Sequence, residues 1–289
     1  MSGDVVRIAT WNCFGAPTNA DDFFAGRPFW PERLDAREVV ETLAAYDVVC
    51  VQENLVSGVC ERLERLREAA KFAALWFDPM GPDAEGATFV GGGLALLSRF
   101  PIRATFERLS RGAGPDGFAR KGFAVAKVEA RPGVELTIVN THLQADDDNV
   151  PAGACRDARA RQIAELGAAT RTLSALGPTF VCGDLNVPHA GDEFATVARA
   201  FGEELCDTAA RTSLATYDVE RNDLAATFHG GGPRRTRLDY VFAPRRLEVL
   251  DVRALLDAPL ADVANRPSGY AGRPVSSDHF GIGVTLRLP

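Results

Sequence analysis

Apolar runs in this sequence stop on groups that can bind cations or move protons. The run at 5–9 leads into Thr10-Trp11-Asn12, and the run at 47–51 ends on Gln52-Glu53. The run at 136–140 passes into Asn140-Thr141-His142, and that at 179–182 into Gly183-Asp184-Leu185-Asn186. Later, Arg237-Leu238-Asp239 opens another run and Ser277-Asp278-His279 precedes the last. Brought together, Asn12, Glu53, Asp184, Asn186, Asp239 and Asp278 would offer hard oxygen ligands suited to Mg²⁺. His142 and His279 would add imidazoles suited to proton transfer. The same set makes poor packing, because unpaired carboxylates held close repel one another. Singly, each piece is ordinary: Gly-Asp-x-Asn is a turn sequence, and an Asn at a strand end is a cap. Their joint occurrence carries the reading.

For these groups to meet, the runs must be strands whose ends share one edge. The β-branched stretches 5–9, 47–51, 93–97, 123–128, 136–140, 179–182, 238–242 and 281–288 read as strands. Val59, Leu63, Leu66 and Ala70 make a helical stripe, 33–45 is similar but weaker, and 155–176 carries Ile163, Leu166 and Leu173 on one face with arginines on the others. Gly177-Pro178 stops that last helix. Strands outnumber helices, and 123–128 and 136–140 flank a Pro132-Gly133 turn. The mix predicts an α/β (α+β) fold: two mixed or antiparallel sheets face to face, helices outside, four layers in αββα order. A single domain over residues 1–289 is expected, without the strict alternation of a parallel doubly wound sheet.

At 289 residues, 46% hydrophobic and 25% charged, the chain has the composition of a protein with a sizeable core. No run approaches the ~20 apolar residues of a membrane span. Met1-Ser2-Gly3-Asp4 leads straight into Val5-Val6-Arg7-Ile8 without a basic, then apolar, leader. A cytoplasmic location is therefore expected, or secretion if the sequence is a processed form. The net charge of −7 argues against coating nucleic acid through bulk electrostatics. Cys13, Cys50, Cys60, Cys155, Cys182 and Cys206 form no C-x-x-C pair and read as small thiols of a reducing compartment.

The blocks T-W-N (10–12), V-Q-E (51–53), S-R-F-P-I (98–102), N-T-H-L-Q (140–144), G-D-L-N (183–186), R-L-D-Y-V (237–241) and S-D-H (277–279) make the chain resemble the endonuclease/exonuclease/phosphatase superfamily. The resemblance spans residues 10–279 in family order. It implies a metal-dependent phosphoesterase, using Mg²⁺ or Mn²⁺, in which Glu53 is the principal metal ligand with Asn12 beside it. It further implies that His279 is the general base, oriented by Asp239, and that His142 and Asn186 donate to the phosphate. Asp184 would position the nucleophile or protonate the leaving oxygen, and Asp278 would sit at the metal side.

Within that superfamily, Asp116 through Gly122 and Asn140 through Ala145 are most similar to the neutral sphingomyelinase branch. That implies a phospholipid head group as substrate at a membrane surface, with Lys121 reaching the phosphate or switching against Asp116. A nuclease and a phosphatase of small metabolites or inositol phosphates are the alternatives, nucleic acid being disfavoured by the acidic balance. A catalytically dead binding module is disfavoured because every polar position is filled. A monomer is expected. His189 and His229 read as loop and turn residues, the aromatic stretch 23–30 as packing over a sheet edge, and Arg234, Arg235 and Arg237 as a solvated turn or a gatherer of polyanions.

Overall fold

Val48 and Cys50 pack between two sheets, while Val49 and Val51 of the same strand pack outward beneath helices. Central strands of this protein are buried on both faces, which is why they read as near-continuous apolar runs. The computed structural model describes residues 4–17, 19–79, 88, 90–229, 232–261 and 263–288. In chain order its first half comprises β1 (Val5–Asn12), α1 (Ala20–Phe24), α2 (Arg37–Leu43), β2 (Val48–Gln52), α3 (Ser57–Ala69), β3 (Ala74–Phe77), β4 (Ala95–Ser98), β5 (Ile102–Arg108), β6 (Gly122–Arg131) and β7 (Val134–His142). Then follow α4 (Ala154–Leu176), β8 (Thr179–Asp184), α5 (Asp192–Phe201), β9 (Leu205–Asp207), β10 (Tyr217–Asp218), α6 (Asp223–Phe228), β11 (Arg235–Thr236), β12 (Asp239–Pro244), β13 (Glu248–Leu255) and β14 (Gly281–Arg287).

One six-stranded sheet has the order β13-β14-β1-β2-β4-β3 and the other β5-β6-β7-β8-β12-β9. Both are mixed, with parallel pairs β1–β2 and β7–β8 among antiparallel neighbours. Between them lie Ile8, Cys50, Leu96, Ala126, Ile138, Phe180, Val241 and Val284. Outside the first sheet, Trp11, Val49 and Leu97 meet Leu43, Val59, Leu63 and Leu66. Outside the second, Val125, Val181 and Phe242 meet Ile163, Leu166, Val197 and Phe201. The expected αββα sandwich is therefore the observed one.

This topology gathers strand ends. β1 and β2 run parallel and finish at one edge, where antiparallel β14 begins. β7 and β8 likewise finish together, and antiparallel β12 begins beside them, pairing Asp239 with Asp184. A buried tie holds the two sheets in register: Gln52 Nε2 donates to Asn140 Oδ1 at 2.6 Å, and Asn140 Nδ2 reaches the carbonyls of Val51 and Ala95, each at 3.0 Å.

The structure also contains elements that the sequence pattern did not predict. β5 and β13 lie at sheet edges and alternate half-buried with exposed residues, so charges interrupt their apolar signal. β3, also at an edge, is only half-buried throughout, and β9 is three residues long. The helix expected over 33–45 is a 3₁₀ turn at Pro31–Arg33 followed by α2. On α4 the arginines do not all face solvent. Arg159 is buried, donating to Glu193 at 2.6 Å, to Gln144 O at 2.7 Å and to Asp146 at 2.9 Å.

Candidate active site

At the shared edge, Asn12 ends β1 and its amide bridges the two sheets. Nδ2 donates to Glu53 Oε1 at 2.9 Å and to Asp184 Oδ2 at 3.0 Å, while Oδ1 accepts the Phe14 N–H at 3.0 Å. Glu53 leaves β2 with φ +63°, a left-handed turn that carries its side chain out of the strand alternation. Gly15 makes room for that turn, since a Cβ there would lie 2.2 Å from Glu53 O. Asn186 leaves β8 in the same way, φ +53°, with its N–H on Asp184 Oδ1 at 2.8 Å and Nδ2 on Leu143 O at 3.1 Å.

His279 Nδ1 lies 2.8 Å from Asp239 Oδ2 and 3.8 Å from Asp184 Oδ2. His142 approaches the same Asp184 oxygen from the other side, Nε2 at 3.9 Å. Ser277 Oγ donates to Asn12 O at 2.6 Å, fastening the last loop to β1, and lies 3.2 Å from Asp278 Oδ1. The structure thus brings together Asn12, Glu53, His142, Asp184, Asn186, Asp239, Asp278 and His279.

Electrostatics set the protonation states. Burial, then repulsion from Asp278, pushes Glu53 up to about 7; burial, then Asp239, pushes Asp184 up to about 6. Asp278 is raised by burial too. Burial opposes charge on His279, but Asp239, Asp184 and Asp278 outweigh it and hold the ring well above the ordinary histidine value. His142 goes the other way: burial, Lys121 and His279 hold it neutral.

The carboxylates face positive charge from Arg33, which the sequence reading missed. Arg33 is buried, donates to the carbonyls of Cys13 at 2.7 Å, Ser276 and Phe14, and lies in the field of Asp278 and Glu53. Its only sequence signal was position: an Arg among Trp30, Pro31 and Leu34, ahead of an apolar helix, where solvent exposure is the ordinary expectation.

Lys121 lies close to His142, but its ammonium is enclosed. Nζ is 3.1 Å from Asp116 Oδ1 and 3.1 Å from Leu143 O, and only 2% of the side chain is exposed. It therefore braces the Leu143 carbonyl that also holds Asn186. Arg237 is likewise no solvated turn residue: it is buried in an ion pair with Asp207. Arg235 is exposed and pairs with Asp218 at 3.2 Å. The His189 backbone N–H donates to Arg237 O at 3.2 Å, and its ring Nδ1 accepts the Arg237 N–H at 3.3 Å. Phe14, Phe29 and Phe228 form an aromatic cluster beside Asn12, with ring centroids 5.1–6.2 Å apart.

Among the described residues, Asp184, Asp239 and His279 bring ligand-capable atoms within 4.8 Å of one another. A cation at that point would displace the proton shared by His279 Nδ1 and Asp239. The wider donor set, carboxylates of Glu53 and Asp278 with an amide beside them, is all oxygen and nitrogen of the hard kind, and its raised pKa values show buried negative charge that a cation would offset.

A model of the Endonuclease/Exonuclease/phosphatase family matches residues 9–279. Phospholipase C of Staphylococcus aureus is 28% identical over 157 residues, 53% of this chain and 46% of that protein, so the match spans about half of each. Sphingomyelinase C of Bacillus cereus is 24% identical over 263 residues, covering 84% of this chain and 76% of that one. Among solved structures, a Staphylococcus aureus beta toxin mutant with bound magnesium ions superposes with TM-score 0.75 at 21% identity, covering 99% of this chain and 100% of that one. Sphingomyelinase C from Streptomyces griseocarneus gives TM-score 0.71 at 22% identity over 99% of each chain. At these identities the likeness establishes the fold. No helix among the described residues is long and apolar enough to cross a membrane.

Proposed function

The chain belongs to the endonuclease/exonuclease/phosphatase family, and from that premise we propose that it is a divalent-cation-dependent phosphodiesterase acting on a sphingomyelin-like phospholipid. The observation that carries the reaction class is the Asp239–His279 pair set into the Asn12–Glu53–Asp184 network. The lipid preference rests on the sphingomyelinase C and phospholipase C relatives. It is compatible with the net charge of −7, which favours no polyanion.

Glu53 and Asp278 are the residues that would hold Mg²⁺, or Mn²⁺ in its place. When bound, the cation would polarise a phosphoryl oxygen and offset the negative charge around it. Asn12 would contribute its Oδ1 by releasing the Phe14 N–H; as it stands, its Nδ2 donates to both Glu53 and Asp184. Asp239 holds His279 through Nδ1, leaving Nε2 to take a proton from water as the water oxygen bonds to phosphorus. The phosphorus–leaving oxygen bond breaks in the same displacement. Asp184 would position the attacking water beside His279, and solvent would supply the proton that the departing oxygen takes up. Neutral His142 donates a hydrogen bond to the phosphoryl group, as does Asn186 once its amide turns from Leu143 O.

A panel with Mg²⁺ tests the reading: sphingomyelin and other phospholipids in mixed micelles, single- and double-stranded nucleic acids, and phosphorylated sugars and inositols. Release of phosphocholine from sphingomyelin as the fastest reaction is expected. Faster cleavage of nucleic acid or a phosphomonoester would replace the lipid assignment.

A further inference from the structure

Residues 216–229 carry no recognisable motif, yet they touch both halves of the Asp239–His279 pair. Thr216 Oγ1 accepts the backbone N–H groups of Leu238 at 3.0 Å and Asp239 at 3.2 Å, and its carbonyl accepts the Phe280 N–H at 2.7 Å. One residue thereby fixes the backbone under both partners. Asn222 adds a second hold, Nδ2 donating to Ser277 O at 2.8 Å while Oδ1 caps the start of α6.

Between these holds, Tyr217 sets its ring edge-on to the His279 ring, with centroids 5.4 Å apart and planes at 62°. Its hydroxyl lies 3.3 Å from Ala225 O and 3.2 Å from His229 Nδ1, tethering the phenol to α6 and to the residue that ends it. Tyr217 is therefore anchored at both ends: by β10 pairing with β11 through its backbone, and by α6 through its oxygen.

We propose that Tyr217 is a positioning residue for His279. A hydrogen bond to Nδ1 holds the imidazole at one atom and leaves the ring able to rock about the line from Cβ to Nδ1. The phenol ring closes that freedom and keeps Nε2 aimed at the attacking water. Edge-to-face ring contacts of this kind are directional as well as apolar. The proposal rests on His279 being the base of the reaction above. It gives the 216–229 segment a role in the chemistry without contact to substrate.

The test uses the full chain with Mg²⁺ and sphingomyelin in mixed micelles, comparing Tyr217→Phe, Tyr217→Leu, Tyr217→Met and the double variant Tyr217→Leu/His279→Ala. Leu and Met should lower kcat by about 10–10²-fold, the scale of a misplacement near 1 Å, with KM within about two-fold of wild type. Phe keeps the ring and should restore most of the turnover, and the double variant should be no slower than His279→Ala alone. A second readout needs no turnover: the low-field NMR resonance of the proton shared by His279 and Asp239 should broaden in Leu and Met but not in Phe. If wild type turns over no lipid while that resonance responds as stated, the lipid assignment falls and the positioning role stands. Equal loss in Phe and Leu, losses that multiply in the double variant, or a resonance indifferent to Leu and Met would each overturn the proposal.

Discussion

Asp239 Oδ2 sits 2.8 Å from His279 Nδ1, although the two residues come from different sheets: Asp239 opens β12 and His279 precedes β14. Among the described residues, the other oxygen of Asp239 is buried without a hydrogen-bond partner, and this carboxylate is the foremost of the charges that raise His279. A base held in this way should make His279 the residue whose loss costs most.

His279→Ala should lower kcat by about 10²–10⁴-fold, the range for losing general-base catalysis, with little change in substrate affinity. Asp239→Asn should give a milder form of the same defect, and the double variant should resemble His279→Ala. The rate of the wild type should climb with pH as the imidazolium loses its proton, then level off; this limb should be absent in His279→Ala. Steady-state kinetics across pH decide it. Independent, multiplying losses would detach Asp239 from His279.

Glu53→Gln should weaken Mg²⁺ use far more than it disturbs the fold, since it removes an anionic ligand but keeps the volume. It should also change stability in a pH-dependent way. Burial raises the folded Glu53 from 4.5 to about 7, so between those values the folded protein holds a proton that the unfolded chain has lost. Stability from this group is therefore lost as the pH rises from 4.5, and the full penalty applies above about 7. Metal-free Glu53→Gln should melt above wild type at pH 8, with the gain shrinking to nothing as pH falls toward 4.5. A gain that grows on acidification would contradict the buried-carboxylate account, and undiminished turnover in excess chelator would contradict the metal.

Arg33→Leu should destabilise the protein by on the order of 3 kcal/mol or more, because the carbonyls of Cys13, Phe14 and Ser276 would be left buried without donors. Arg33→Lys should recover only part of this, as one ammonium cannot reproduce the guanidinium fork. Denaturant melts of the three proteins measure it. Equal stability of all three would mean that water replaces the fork.

Gly183→Ala should be among the most damaging single changes in the chain. Its φ of +139° excludes an ordinary side chain, and a Cβ would stand 1.9 Å from Thr141 O on the neighbouring strand. We expect a loss above about 4 kcal/mol or failure to fold. Gly133→Ala is the control: its φ is +78° but nothing lies within 4 Å, so about 1 kcal/mol is expected. Comparable melting temperatures for the two variants would show that β7 and β8 can move apart.

The sequence by itself determined the sandwich and the roster of groups at its edge. Strands buried on both faces must be apolar throughout, so a polar residue at their ends announces itself: Asn12, Glu53, His142, Asp184 and Asp239 all follow or open such runs. What lay outside that contrast was not legible. Edge strands β5 and β13 bury one face at most and mix charges with apolar residues, and α5 offers few buried positions, Val197 and Phe201 among them. Nor does a strand-end position say which way a side chain turns. Asn140 and Gln52 stand in the same blocks as His142 and Glu53, yet they point between the sheets and tie them. Tertiary structure alone decided that Lys121 is enclosed by Asp116, that Arg33 is drawn inward by three carbonyls, and that Tyr217 meets His279. Each of these depends on partners 5 to 243 residues distant in the chain, and burial of a charge or a phenol is determined by those partners, not by the residue's own type.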